Sequence, residues 1–516
     1  MIVVSVDQAG FEYDIHSLVK AFYPEQEVRV LAEAEKQESS EEGMPDISIR
    51  FTPAQISMFL MGSGAESKGF TGHKIVVGGL ERPAVKNSLK QLIYTVLSEY
   101  TEKELPWGTL TGIRPTKIPM TLLTEQMAEE EILAYMKDTY FISEEKGKLA
   151  IEIAGREKQL LSTLHYQDGY SLYIGIPFCP TTCLYCSFTS YPISAWKKRV
   201  ADYLTALERE IELTAELCRD KILDTIYIGG GTPTTLEPEE LNRLFCSLEK
   251  SLDLSQLQEF TVESGRPDSI TREKLQVMKK HHVTRISVNP QTMKEETLRL
   301  IGRRHTVAQV IEAFQMAREE GFTNINMDLI LGLPGETEAD VSATIGAVKA
   351  LQPDSLTVHS LAIKRASRLN QWIEENGIHT LHNTDETMQI AMQGAHDMGM
   401  EPYYLYRQKN MSGNFENVGY AHPDKYGIYN ILIMEELQTI VALGAGSITK
   451  RVYGDGRIER CDNVKDVGLY IERIDEMLER KRQLLSQHTA QHPTSATEQQ
   501  HCKKVTGDAG NSVIDH

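Results

Sequence analysis

The chain has 516 residues, 54 Lys and Arg against 73 Asp and Glu for a net charge of −19, and 41% apolar and 25% charged residues. At roughly 100–200 residues per domain this length allows about three domains with a substantial core, and the near-average composition excludes a wholly disordered chain. The acidic balance excludes a surface that binds nucleic acid or anionic lipid throughout, because such surfaces carry a basic footprint.

The N-terminus, Met1-Ile2-Val3-Val4-Ser5-Val6-Asp7, lacks a basic region followed by a long apolar one and reads as a short strand instead of a signal peptide. No stretch approaches the roughly 18–20 apolar residues of a membrane span, so a cytoplasmic protein is expected. Residues 1–165 read as an α+β domain. Its β-type runs, Val28–Leu31 and Ile47–Phe51, flank the acidic turn-forming segment Gln37–Asp46, and helical periodicity follows at Asn87–Leu97 and Ile151–Leu164. Between those helices Trp107–Lys117 reads as a loop bearing two cations, Arg114 and Lys117.

Over 166–375 short β-branched runs alternate with amphipathic stretches: Leu172–Pro177, Thr225–Gly230, Glu259–Ser264, Arg285–Pro290, Asn324–Leu331 and Ser355–Ile363. Helical patterns such as Lys198–Leu217 and Val307–Glu320 follow the first five. This alternation predicts right-handed βαβ crossovers and a parallel sheet, either open and doubly wound or an incomplete barrel. Residues 376–484 form a third, mainly helical region. It contains the aromatic and cationic stretch Tyr403–Asn410, the Gly-rich turn Gly444–Ser447 and a terminal amphipathic helix over Val467–Leu484. The polar segment 485–516, rich in Gln, Thr, Ser and His, has no apolar periodicity and reads as a disordered tail that includes Cys502.

Cys179-Pro180-Thr181-Thr182-Cys183-Leu184-Tyr185-Cys186 sets three thiols on one loop just after the first of these strands. Such a loop suits a metal or an iron–sulfur cluster. A structural zinc site normally has four protein ligands, and none beyond the three lies in the loop. A [4Fe–4S] cluster on three thiolates leaves one iron open to a ligand. The alternatives are zinc completed by Cys218 or Cys246, or three inert cysteines. In parallel α/β folds ligands gather at the carboxyl ends of strands. There this chain carries Gly229-Gly230-Gly231-Thr232-Pro233-Thr234, Glu263, Asn289, Gln291 and Asp328, with Arg303 on the following helical stretch.

The cysteine motif with an aromatic before its last cysteine, followed by Gly-Gly-Gly-Thr-Pro, resembles the radical S-adenosylmethionine superfamily. Tyr173–Cys179, Gly229–Thr234, Ile301-Gly302-Arg303, Tyr403–Asn410 and Asn417-Val418-Gly419-Tyr420 are similar to the oxygen-independent coproporphyrinogen III oxidases (coproporphyrinogen dehydrogenases) over about residues 170–480. The long N-terminal part resembles that of a divergent bacterial branch. The resemblance implies a TIM-like α/β fold with a partial (β/α)6 barrel, and Cys179, Cys183 and Cys186 as catalytic ligands of a [4Fe–4S] cluster. It implies that Tyr173, Tyr185, Gly230, Gly231, Thr232, Glu263, Gln291, Arg303, Asp328, Ala362 and Ile448 bind one or two S-adenosylmethionine molecules.

The implied reaction is oxidative decarboxylation of coproporphyrinogen III to protoporphyrinogen IX in haem biosynthesis. A 5′-deoxyadenosyl radical takes hydrogen from a propionate, and loss of carbon dioxide and one electron leaves a vinyl group. An electron donor such as flavodoxin or ferredoxin is implied as a partner, together with a monomeric state and no nucleic acid. Two positions depart from the family pattern: Gly175 stands where a His is usual, and Phe188 where a further Cys is usual. The related haem chaperones also lack that cysteine, so a haem-binding protein is the rival reading, and a radical enzyme modifying tRNA is a third that would want a basic RNA-binding domain. A tetracarboxylate substrate approaching a chain of net charge −19 requires local cations. Arg407, Lys409, Arg114 and Lys117 are the candidates.

Overall fold

The computed structural model describes residues 1–32, 46–60, 71–364, 367–408, 411 and 414–486. Lys409, Asn410, most of the acidic segment after Gln37 and the tail from Gln487 lie outside the described residues. The contacts divide the described chain into two units, meeting in sequence at Ile151 and Glu152.

The first unit opens with Ile2–Val6 (β1), Glu12–Phe22 (α1) and Val28–Ala32 (β2), and continues through Ile47–Phe51 (β3), Gln55–Leu60 (β4), Thr71–Val76 (β5) and Arg82–Thr101 (α2). Strand β1 pairs in parallel with both β2 and β3, and β3, β4 and β5 form an antiparallel meander. Ile15, Leu18, Val19 and Phe22 recur at helical spacing on α1, and with Leu89, Ile93 and Val96 of α2 they cover Val4, Val6, Ile49 and Met58 of the sheet. Three helices follow: Lys117–Thr124 (α3), Glu129–Tyr140 (α4) and Glu144–Leu161 (α5).

The second unit contains the α/β alternation. Gly169–Ile176 (β6) is followed by the two-residue strands Phe178–Cys179 (β7) and Tyr191–Pro192 (β8), then by Ile193–Trp196 (α6) and Val200–Leu217 (α7). Next come Ile222–Gly230 (β9), Pro238–Ser251 (α8), Glu259–Glu263 (β10), Arg272–Lys280 (α9) and Arg285–Ser287 (β11). Glu295–Leu300 (α10), Val307–Glu319 (α11), Ile325–Leu331 (β12), Glu338–Leu351 (α12) and Ser355–Ser360 (β13) complete the series.

Strands β6, β9, β10, β11, β12 and β13 lie side by side in chain order and pair in parallel throughout. Right-handed crossovers in an unreversed strand order put every helix on one face, so the sheet curls around the other. A doubly wound sheet needs a reversal of that order. The chain therefore has the partial (β/α)6 barrel and not the open doubly wound sheet.

The strand pleat sorts the residues. Leu172, Ile174, Ile226, Ile228, Phe260, Val262, Met327, Leu356 and Val358 are buried on the helix-covered face. The alternate positions, including Ser171, Tyr173, Thr225, Tyr227, Glu259, Glu263, Arg285, Asn326, Asp328, Ser355 and His359, line the concave face. Neighbours on that face are joined by hydrogen bonds: Thr225 to Ser171 at 2.8 Å, Arg285 to Ser355 at 2.9 Å and Ser355 to Asn326 at 3.0 Å.

The C-terminal region carries Leu369–Asn376 (α13), Asp385–Asp397 (α14), Glu401–Tyr406 (β14), Asn417–Ala421 (β15) and Ile428–Glu435 (α15). It ends with Thr439–Leu443 (β16), Ile448–Val452 (β17), Ile458–Asp462 (β18), Val467–Glu472 (α16) and Ile474–Ser486 (α17). Helix predominates over strand here, and the strands extend the barrel sheet at both edges instead of forming a sheet of their own: β15 pairs with β13, and β16 with β6. The expected terminal helix is divided at Arg473 into α16 and α17. Tyr403 to Tyr406 lie on a strand, β14. Helix α15 closes the base of the barrel, where Glu259 accepts from the Ile428 N–H at 2.6 Å and the Tyr429 N–H at 3.4 Å. Its carboxylate thus satisfies amides that a helix start leaves without partners.

Candidate active site at the carboxyl ends of the barrel strands

Beyond β6 the chain enters the cysteine loop, and the segments at the end of α10 and the start of α13 fix that loop. The Leu184 N–H donates to Ile301 O at 2.9 Å, Thr181 Oγ1 to Gly302 O at 3.0 Å, and Arg368 Nη2 to Thr182 O at 2.6 Å. Gly302 has φ +79°, a left-handed conformation that favours glycine, and a Cβ built there would stand 3.4 Å from Thr182 O. Cys179, Cys183 and Cys186 are all free thiols and half-buried. Burial pushes the Cys179 thiol up, opposed by hydrogen bonds from Thr232 and Ser190, and pushes Cys186 up to about 11, with the sulfurs of Cys183 and Cys179 adding to it.

The glycine run at the end of β9 lies against this loop. Gly230 has φ +101°, and a Cβ on Gly231 would stand 2.5 Å from Phe178 O, so only a bare backbone fits. The Gly231 N–H donates to Ile176 O at 2.8 Å and the Thr232 N–H to Phe178 O at 2.7 Å, which brings Thr232 Oγ1 to 3.6 Å from Cys179 Sγ.

Two carboxylates face the concave side. Burial pushes Glu263 up to about 7, against a hydrogen bond from Tyr227 and with a further rise from Asp328. Asp328 is half-buried, and His359 and the amide of Asn326, which donates at 2.6 Å, outweigh its desolvation and hold it below the ordinary carboxylate range. Gln291 adopts φ +69° and is pinned to β12 by its N–H to Asp328 O at 2.9 Å and its carbonyl to the Ile330 N–H at 3.0 Å. A non-glycine residue in this region persists when its surroundings over-determine it, as both backbone bonds do here. Arg303 is buried, donates from Nη1 to Asn289 O at 2.5 Å, and has no partner at Nε among the described residues. Burial opposes its charge, and neighbouring Tyr185 and Cys183 more than offset that.

The protein is similar to characterised proteins over these same segments. Residues 173–348 match the radical SAM superfamily. The oxygen-independent coproporphyrinogen-III oxidase-like protein HemZ of Bacillus subtilis is 42% identical over 417 residues, which is 79% of this chain and 83% of that protein. The chain belongs to the radical SAM HemN/HemW family. Within that family, the heme chaperone HemW of Bacillus subtilis is 36% identical over 238 residues, covering 46% of this chain and 62% of HemW. The oxygen-independent coproporphyrinogen III oxidase of Salmonella typhimurium is 32% identical over 192 residues, covering 37% of this chain and 42% of that enzyme. The solved structure of coproporphyrinogen III oxidase HemN from Escherichia coli superposes with a TM-score of 0.50 at 23% identity, over 62% of this chain and 73% of that one, and shows the same fold.

A [4Fe–4S] cluster and S-adenosylmethionine are the cofactors of the radical SAM HemN/HemW family, and the donor set fits the cluster. One short loop carries three free thiols, and further donors reach two of the sulfurs, Thr232 at Cys179 and Arg266 at Cys183. Neither cysteine considered for a zinc site belongs to that loop. Cys218 caps the C-terminal end of α7, at the base of the barrel, and Cys246 on α8 groups with Glu249 and His281. Tyr185, Gly230, Gly231, Thr232, Glu263, Gln291, Arg303 and Asp328 lie around the mouth of the barrel with the contacts above, whereas Tyr173 lies within β6, before its end. Ala362 lies just beyond β13 and bridges to Met411, and Ile448 opens β17 paired with Asp462. The β16–β17 turn reaches the end of β6 through Tyr203, whose hydroxyl donates to Gly175 O at 2.6 Å and accepts from the Ala445 N–H at 3.2 Å.

Of the cations suggested for an anionic substrate, Arg407 is buried and donates from Nη2 to Asn414 Oδ1 at 2.7 Å. Burial lowers it to about 10, so it stays charged at neutral pH. Arg114 precedes α3 and Lys117 opens it, both in the first unit. Sequence reasoning missed the aromatic floor: Tyr227 stacks on Tyr429 of α15 with centroids 4.4 Å apart, and Tyr173 stands 6.2 Å from each. The alternation Ser171-Leu172-Tyr173-Ile174 against Thr225-Ile226-Tyr227-Ile228 carried that signal. Arg266, Asp268 and His305 were also missed, because nothing in their spacing sets them apart from ordinary loop residues.

Proposed function

We propose that this protein is an oxygen-independent coproporphyrinogen III decarboxylase, with Cys179, Cys183 and Cys186 as ligands of the [4Fe–4S] cluster. The observation that carries the reading is the loop of three free thiols, fastened at the mouth of a barrel with a polar interior. Similarity to HemZ over most of both chains supports the substrate class. When bound, the cluster and S-adenosylmethionine supply a low-potential electron and a hydrogen-abstracting adenosyl group.

The chain's own residues do the rest. Arg303 offers its free Nε to a carboxylate of the cofactor. Gly230, Gly231 and Thr232 present backbone close to it, while Glu263, Gln291 and Asp328 accept from or donate to its amine and hydroxyl groups. Tyr173, Tyr185, Ala362 and Ile448 complete the walls, and Arg407 supplies a buried cation for a propionate. Each of two propionates loses a hydrogen atom, carbon dioxide and one electron to a one-electron acceptor, leaving a vinyl group.

The heme chaperone is the second reading, favoured by the HemW match and by Phe188, an exposed apolar residue where the enzymes resembled carry a further cysteine. An anaerobic assay separates the two. Protein reconstituted with iron and sulfide is given S-adenosylmethionine, reductant and coproporphyrinogen III, and tri- and dicarboxylate products are followed with 5′-deoxyadenosine. Products formed with cofactor consumption support the decarboxylase. Cofactor cleavage with both propionates intact and haem bound stoichiometrically overturns it in favour of the chaperone.

A further inference from the structure

Arg266 reaches the cysteine loop from just beyond β10. Its side chain is 4% exposed, and its guanidinium is clamped by Asp268, with Nε to Oδ1 at 2.9 Å and Nη2 to Oδ2 at 2.8 Å. That two-point fork fixes the plane of the group. It leaves Nη1 to donate to Thr181 Oγ1 at 3.0 Å and to lie 3.9 Å from Cys183 Sγ. On the far side of Asp268 stands His305, fully buried, with Nδ1 at 3.7 Å, an ion-pair distance beyond hydrogen-bond reach.

Arg266 and Asp268 cancel as charges. What they present to the loop is an oriented N–H. The loop does not need this contact merely to stay in place, since Ile301 and Arg368 already hold its backbone and Gly302 holds the Thr181 hydroxyl. The potential of an iron–sulfur cluster depends on hydrogen bonds to its sulfurs, and a donor favours the oxidation state with more negative charge, which is the reduced one. We propose that Arg266 is a positioning residue that raises the reduction potential of the cluster through Nη1 on the Cys183 sulfur. This rests on Cys183 being a cluster ligand.

The test is an anaerobic redox titration of the full-length reconstituted protein, its Arg266→Gln and its Arg266→Lys variants, read by the electron paramagnetic signal of the reduced cluster with iron content measured on each sample. With equal iron, the reduced-to-oxidised ratio at a fixed potential falls about tenfold in Arg266→Gln, a 59 mV shift for one electron, and by less in Arg266→Lys. Titration curves that coincide with wild type at equal iron overturn the proposal. Where Arg266→Gln takes up no iron, Arg266→Lys decides on the same criterion: a lowered potential supports it and an unchanged one overturns it. Failure of the ligand assignment looks different, as iron retained by Cys183→Ala.

Discussion

Lys481 Nζ lies 2.7 Å from Glu210 Oε1, and the two side chains are 1% and 0% exposed. This pair joins α17 to α7 and extends to the active-site rim. Glu210 also accepts from the Gly444 N–H at 2.7 Å and from Asn463 at 2.9 Å, and so holds the β16–β17 turn beside the end of β6. Removing one partner of a buried pair strands a charge, which costs about 3–5 kcal/mol. Lys481→Met is expected to lower the unfolding free energy of the apo protein, read from urea titration, by an amount in that range. Adding Glu210→Leu is expected not to restore it, because Gly444 and Asn463 then lose their acceptor. Full recovery in the double variant would contradict this account.

Glu263 gives stability a dependence on pH. Its folded pKa of about 7 lies above the ordinary value of 4.5 because of burial, only partly offset by Tyr227. Between those values the folded state holds a proton that the unfolded state has lost, so the stabilisation is complete below pH 4.5 and lost as pH rises through about 7. The residue keeps some solvent access, which reduces the linkage to roughly 1–3 kcal/mol. Glu263→Gln removes it. The melting temperature of the apo variant is expected to fall less than that of wild type between pH 5 and pH 8, by a difference of roughly a few degrees. Parallel pH profiles would show that Glu263 titrates normally.

The cysteines divide into those on the loop and those elsewhere. Cys183→Ala is expected to abolish the cluster's visible absorption and reduce S-adenosylmethionine cleavage below about 1% of wild type, a loss of roughly 3 kcal/mol or more in transition-state terms. Cys246→Ala, an exposed position on α8, is expected to leave both within about twofold. Iron analysis alongside the cleavage assay checks both, and normal iron in Cys183→Ala would refute the ligand assignment.

The six parallel strands were legible because each is a short β-branched run and helical periodicity follows the first five, and the cysteine loop because its spacing is rare outside metal chemistry. What periodicity could not supply was the spatial order of the strands, which separates a barrel from a doubly wound sheet and depends on pairings between segments far apart in sequence. The same limit hid α15. Its sequence, Ile428–Glu435, has apolar residues on most sides, and its contacts with Glu259, Tyr227 and Tyr173 show that it plugs the barrel. Arg266 and His305 were illegible for a related reason: each is an ordinary polar residue after a strand or a short helix, and Asp268 between them acquires meaning only in three dimensions. At the first unit, strands β2 and β3 were readable from their alternation, whereas α1 has a mixed polar start that conceals the Ile15, Leu18, Val19 and Phe22 stripe.

Gly231 tests whether the approach of β9 to the cysteine loop matters for the cofactors. An added Cβ would meet Phe178 O at 2.5 Å, Ile176 O at 2.8 Å and Phe178 C at 3.0 Å. All three are backbone atoms, which cannot rotate away as a flexible side chain would. Gly231→Ala must therefore push β7 off β9, breaking the amide bonds from Gly231 and Thr232 that hold the start of the loop, at a cost of about 1–3 kcal/mol. Because the shift falls next to Cys179, it is expected to weaken Thr232's contact with that sulfur and to lower iron retention under chelator challenge at least several-fold. Gly346, in the middle of α12, is the control: a Cβ there meets nothing within 4 Å, and alanine favours the helix by about 1 kcal/mol over glycine. Gly346→Ala is expected to keep wild-type iron and to melt slightly higher. Equal iron retention in Gly231→Ala and Gly346→Ala would mean that the close approach of β9 does not support the cluster.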